Sequence, residues 1–119
     1  MVHVEKVGRS IEFYRQLGFT LIETLGPDDD LRWAWLQSGQ ARLMLVRSAR
    51  PMNPSAQDVL FYLYATDVAS YRKELAALGV SVSPLTHPDH MPAGEFRIDD
   101  PDGYCLLVGQ YTGLVTAER

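Results

Sequence analysis

One cysteine, no run of basic residues and no long apolar stretch occur in these 119 residues, and each shortage removes a class of protein. A lone Cys105 excludes an intramolecular disulfide framework and a cluster of thiolate ligands. Set in the apolar run YCLLV, it reads as a small buried hydrophobe before it reads as a reactive thiol. Without a Lys/Arg run, and with a net charge of −4, the chain has the wrong sign to grip a phosphate backbone, so no nucleic-acid partner is expected. That surplus would weakly favour cationic small molecules instead. Nothing approaches the roughly 20 apolar residues of a membrane span, and VHVEKVGRS is too polar for a secretory leader. A cytoplasmic protein with no membrane partner is the expectation. What is there, 46% hydrophobic and 22% charged residues, suits a folded domain with one core, or two small modules sharing one.

A unit is used twice. Residues 7–18, VGRSIEFYRQLG, and 68–79, VASYRKELAALG, place Val7, Tyr14, Leu17 and Gly18 at the spacing of Val68, Leu75, Leu78 and Gly79. This predicts helices near 8–17 and 67–78. Asp67 is a good N-cap for the second, each copy ends at a glycine, and Val68, Tyr71, Leu75 and Leu78 form a stripe fit to lie on a sheet. The alternating segments FTLIETL and VSVSPL follow as strands. DLRWAWLQSGQARLMLV and GEFRIDDPDGYCLLVGQ both read strand, turn, strand, with Gly39 matched to Gly103, and VHVEKV and VLFYLYAT supply a strand ahead of each helix. The expectation is a first βαβββ module over 1–47, a linker SARPMNPSAQ over 48–57, a second module over 58–110 and a C-terminal tail over 111–119, within a single domain.

Both alternating faces of LMLV (43–46), FYLY (61–64) and CLLV (105–108) are apolar or aromatic, so both faces of each sheet need a cover. A helix covers one. Alternation assigns to the other, concave face Leu43 and Leu45; Leu60, Tyr62 and Tyr64; Cys105 and Leu107; Leu31, Trp33 and Trp35; and Glu95, Arg97 and Asp99. Phe61, Leu63, Phe96, Ile98, Leu106 and Val108 take the opposite face. On the last strand the inner positions Cys105, Leu107 and Gly109 offer nothing suited to moving a proton or binding an ion.

RSIEFYRQLGF (9–19), ATDVASYRKELAALGV (65–80) and GEFRIDDPDGYCLLVGQ (94–110), in this doubled arrangement, are similar to the vicinal oxygen chelate superfamily, which holds glyoxalase I, extradiol dioxygenases, fosfomycin resistance enzymes and bleomycin resistance proteins. The resemblance spans residues 2–110. It implies an α+β fold in which two βαβββ modules build a curved, mainly antiparallel, eight-stranded cup, and it implies a homodimer. Metal-using relatives carry a His early in the first strand, a His opening the fifth and a Glu in the eighth. The last two positions fall on Leu60 and Leu107, with Leu43 as the first-module counterpart. The first falls about four residues before His3, so the chain is shortened there or the position is absent. Leucine holds no ion, and a catalytic divalent site needs about three ligands; no metal and no cofactor are expected.

The histidines of HPDH (87–90), close to Glu95, invite a metal reading, but Pro88 and Pro92 set them in a loop, where solvated side chains or a lid over the cup fit better. Trp33, Trp35, Tyr62 and Tyr64 are either an aromatic core or the lining of a small-molecule pocket, and their gathering on one face favours the pocket. Glu95 and Asp99 add negative charge there. His3 also points inward, as a structural donor or as the one candidate base. Arg97 either pairs with Glu95 or Asp99 or anchors a carboxylate. The expected ligand-binding set is His3, Trp33, Trp35, Leu43, Leu60, Tyr62, Tyr64, Glu95, Arg97 and Leu107, with no catalytic residue assigned. These residues favour a metal-independent protein that sequesters an aromatic or cationic small molecule, as bleomycin resistance proteins do. The alternative is a metal-dependent lyase or dioxygenase of glyoxalase type with non-standard ligands.

Overall fold

The structure, a computed structural model, describes residues 1–113; residues 114–119, most of the expected tail, lie outside the described residues. In chain order the elements are β1 (Val2–Val4), α1 (Val7–Gln16), β2 (Thr20–Leu25), β3 (Trp33–Ser38), β4 (Ala41–Arg47), β5 (Leu60–Ala65), α2 (Val68–Ala77), β6 (Glu95–Asp99) and β7 (Cys105–Gln110). One sheet has the order β1-β4-β3-β2 and the other β5-β7-β6, so the fold is mixed α+β with a helix for each sheet. Hairpins pair their strands antiparallel, whereas the strand ahead of each helix joins its sheet in parallel, β1 on β4 and β5 on β7.

Among the described residues seven strands form where the doubled unit predicts eight. VSVSPL makes only one isolated bridge, Val82 to Ile98, and Thr86 just beyond it makes another, to Glu95. Pro84, which has no N–H for a ladder, stands between them.

The chain divides into two compact units, one of residues 1–57 with 100–103, the other of 58–99 with the residues from 104 on. In the first, α1 packs against β2, β3 and β4, burying Val7, Ile11 and Tyr14, while Val4, Ala34, Leu36 and Leu45 are the fully buried side chains of the sheet. No side chain caps α1: Lys6 holds the N-cap position without a side-chain hydrogen bond to the first turn. Asp102, from far along the chain, instead ties down the residue entering the helix and two side chains of its first turn. Fully buried, it accepts from the Glu5 N–H (3.1 Å), the Arg9 guanidinium (3.2 Å) and the Ser10 hydroxyl (3.3 Å), placing a negative charge at the positive end of the helix dipole. Asp100 completes the turn, accepting from the Tyr14 hydroxyl at 2.8 Å and the Asp102 N–H at 2.9 Å. Gly103 closes it with a φ of +84°, and a Cβ there would lie 2.2 Å from the Pro54 carbonyl oxygen, inside the single 3-10 turn Pro54–Ala56 of the linker.

In the second unit Asp67 caps α2, as expected, by accepting from the Ser70 N–H at 3.1 Å. Val68 and Leu75 are buried, and Tyr71 brings its ring to 6.2 Å from Phe96. Register places Phe61, Leu63, Phe96, Ile98, Leu106 and Val108 together on this helix side. The helix-side half of the face assignment holds in this unit.

Candidate functional site

Three rows cross the other face of the second sheet. Leu60, Cys105 and Asp99 form one, Tyr62, Leu107 and Arg97 the next, and Tyr64, Gly109 and Glu95 the third. The third row answers what the bare position on β7 is for. A Cβ on Gly109 would sit 3.0 Å from both Cε1 and the hydroxyl of Tyr62 and 2.9 Å from Cε of Met91. The missing side chain lets the Tyr62 phenol reach across β7 from β5 and donate to Oε1 of Glu95 on β6. His90 reaches the same oxygen with Nε2 at 2.9 Å. Tyr64 stands beside Tyr62, ring centroids 5.1 Å apart and planes 37° apart.

Burial and bonding act in opposite directions on this cluster. Glu95 is 7% exposed. Burial alone would raise its pKa, but the hydrogen bonds from Tyr62 and His90, helped by the charge of His90, outweigh it and hold the carboxyl below the usual range. Burial, reinforced by the bond to Glu95, pushes the Tyr62 phenol well above the ordinary tyrosine value, so it remains a donor. Burial also raises the Cys105 thiol, which is the opposite of activation. Arg97 turns to Asp99, donating from Nε at 3.0 Å and from the terminal nitrogen at 2.9 Å. Of its two sequence readings, the ion pair is the one formed.

In the first unit the corresponding face carries His3, Val46 and Trp33 in one row and Met44 and Trp35 in the next. His3 is exposed and both indoles are half-buried. The Arg42 guanidinium lies 5.6 Å from the Trp35 ring centre, and Trp35 Nε1 is buried without an acceptor. Leu43 is not part of this face. It pairs with Leu36 and therefore shares the buried side of Ala34, Leu36 and Leu45; Leu45 is corrected with it. The physical reason is the hairpin register: Ser38 pairs with Ala41, which sets Met44, not Leu43, opposite Trp35.

Each sheet thus gathers part of the expected set, Trp33, Trp35 and His3 on one and Leu60, Tyr62, Tyr64, Glu95, Arg97 and Leu107 on the other. Met44 was missed because the inner face of β4 was assigned to Leu43 and Leu45, and Met91 and the bond from His90 because a loop residue gives no periodic signal. A groove of about 510 Å³ beside β2, lined by Arg15, Gly18, Phe19, Thr20 and Leu21, includes none of the expected site residues.

A sequence profile of the Glyoxalase/Bleomycin resistance protein/Dioxygenase superfamily matches residues 1–107. The chain belongs to this superfamily. No match was found among curated proteins. Among solved structures, a bleomycin-binding protein complexed with bleomycin superposes with a TM-score of 0.75 at 19% identity, covering 92% of this chain and 93% of that one. A bleomycin resistance determinant encoded on the transposon Tn5 gives 0.76 at 18%, covering 93% of each. An antibiotic-binding protein from Streptomyces gives 0.70 at 21%, covering 93% and 91%. At these identities the likeness is one of fold.

The divalent metal used by some members of the superfamily does not fit the residues present. Leu60 opens β5 and Leu107 lies in the middle of β7, both apolar at the positions where the resemblance implies a His and a Glu. Among the described residues no three His, Cys, Asp or Glu side chains gather closely enough to hold an ion.

Proposed function

We propose that this superfamily member is a metal-independent small-molecule-binding protein that sequesters an aromatic or cationic ligand, acting as a cytoplasmic homodimer. The observation that carries the reading is the buried Glu95 carboxylate bonded by Tyr62 beside a second tyrosine ring, on the sheet face opposite α2, where the described residues offer no ligand set for a metal. Tyrosines give rigid area with polar tips, and a carboxylate beside them selects for positive charge. The aromatic face of the first sheet supports the same chemistry, with Trp35 Nε1 as a donor that a ligand acceptor would satisfy. Leu60, 52% exposed, and Tyr64, 43% exposed, are apolar surface that a ligand would cover. Solved neighbours of this fold include a protein complexed with bleomycin and one described as antibiotic-binding, which supports sequestration over transformation. Among the described residues no helix is long and apolar enough to cross a membrane.

Elemental analysis of protein purified without chelator tests the metal-free part. Substoichiometric metal is the expected result; one tightly held equivalent, lost on His3→Ala or Glu95→Gln, would contradict it. Sedimentation of the same preparation at micromolar concentration should read a dimer, and a monomer would remove that part of the proposal.

A further inference from the structure

Glu95 has two partners of different kinds. Tyr62 is fixed, laid across Gly109 from the neighbouring strand. His90 belongs to the loop between Thr86 and Glu95, and its side chain is 61% exposed. The base of that loop is tied without His90: Thr86 and Glu95 exchange backbone hydrogen bonds of 2.8 and 2.9 Å, and His87 Nδ1 lies 2.9 Å from the Pro92 carbonyl oxygen. The imidazole of His90 is therefore the one component of the network that can leave with the sheet and loop base intact.

The charges facing Glu95 give that departure a meaning. Tyr62 and Tyr64 come from β5, Arg97 and Asp99 from β6, Cys105 from β7 and His90 from the loop. Arg97 is taken up by Asp99 through two hydrogen bonds. His90 is the basic group in contact with Glu95 among the described residues, positive when protonated, and a buried carboxylate is stabilised by a positive partner. Resting on the ligand-binding reading above, we propose that Glu95 anchors a cationic nitrogen of the ligand, flanked by the Tyr62 and Tyr64 rings, and that His90 holds this place in the free protein until the ligand displaces it.

Two consequences separate this exchange from plain aromatic binding. The ligand class is an ammonium or amidinium cation carrying apolar or aromatic area. Its affinity also depends on His90: the imidazole occupies the Glu95 oxygen that the ligand needs, so removing it strengthens binding.

Calorimetric titration of the wild type and His90→Ala with phenyltrimethylammonium and its uncharged carbon isostere, tert-butylbenzene, tests both. The cation should bind about tenfold tighter than the isostere or better, as expected of a desolvated cation beside tyrosine rings and a carboxylate. In His90→Ala the cation should bind several-fold tighter than in the wild type, with the affinity of the isostere unchanged. Equal affinity for cation and isostere would overturn the Glu95 anchor and leave the ligand-binding reading standing. No binding of either probe would remove both. Equal cation affinity in His90→Ala and the wild type would overturn the exchange.

Discussion

Glycine at 109 and glutamate at 95 show how one residue's size sets another's charge. The Tyr62 hydroxyl reaches Glu95 only because no side chain rises from β7 between them. Glu95 has its pKa lowered in the fold, so its contribution to stability is fully present above the unfolded value of about 4.3 and is lost as pH falls through the lower folded value. Gly109→Ala should lift Tyr62 and the flexible end of Met91 off the strand, remove a charged hydrogen bond worth about 1.5 to 3 kcal/mol, and move the folded pKa of Glu95 upward. Urea unfolding across the acid range checks this: the variant should lose stability at neutral pH and show a shallower acid-linked decline. An unchanged acid profile would mean that Tyr62 contributes nothing to holding the charge. Position 109 was legible as bare and inward-facing, but the crossing phenol was not, because alternation gives a face and says nothing of reach.

Helices α1 and α2 occupy equivalent places in the repeat and are held at their starts in different ways. For α2 the signal was local: Asp67 stands at the boundary and bonds Ser70, so sequence reading placed it. α1 has no side-chain cap; its entry is held by the DPDG turn through the Glu5 N–H and the Arg9 and Ser10 side chains, and nothing marked this, since Asp, Pro and Gly are what any tight turn contains. The usable hint was negative: a helix beginning after Lys6 has no acceptor of its own for its first N–H groups. Asp102→Ala should cost about 1 to 3 kcal/mol, because the Glu5 N–H and Ser10 hydroxyl lose their acceptor, while Asp102→Asn, which keeps one acceptor oxygen, should cost less. Thermal and urea unfolding measure both. Equal stability in Asp102→Ala and the wild type would show that the turn does not hold the entry to α1. The same reliance on local pattern explains Leu43: its face was counted along the strand, whereas the hairpin register fixed it under the helix.

Across the whole molecule the doubled βαβββ plan was readable because each unit repeats its helix stripe, its glycine stops and its hairpin turns, which makes fold evident where function is not. The face opposite α2 was readable for the same reason, since strict alternation survives in β5, β6 and β7. What sequence could not supply was the cross-strand network, which depends on three strands and a loop meeting at Glu95. That network, with its tyrosine pair and without a metal set, is the basis for reading the protein as a binder. The most direct test is a calorimetric titration of chelator-treated protein with proflavine, a planar aromatic cation, in the wild type and in Tyr64→Ala, with thermal melting followed in parallel. Tyr64 is 43% exposed, so its removal should leave melting nearly unchanged while binding weakens by about 1 to 3 kcal/mol through lost ring contact and area. Proflavine binding that is absent after chelation, or equal in the two proteins, would contradict the account.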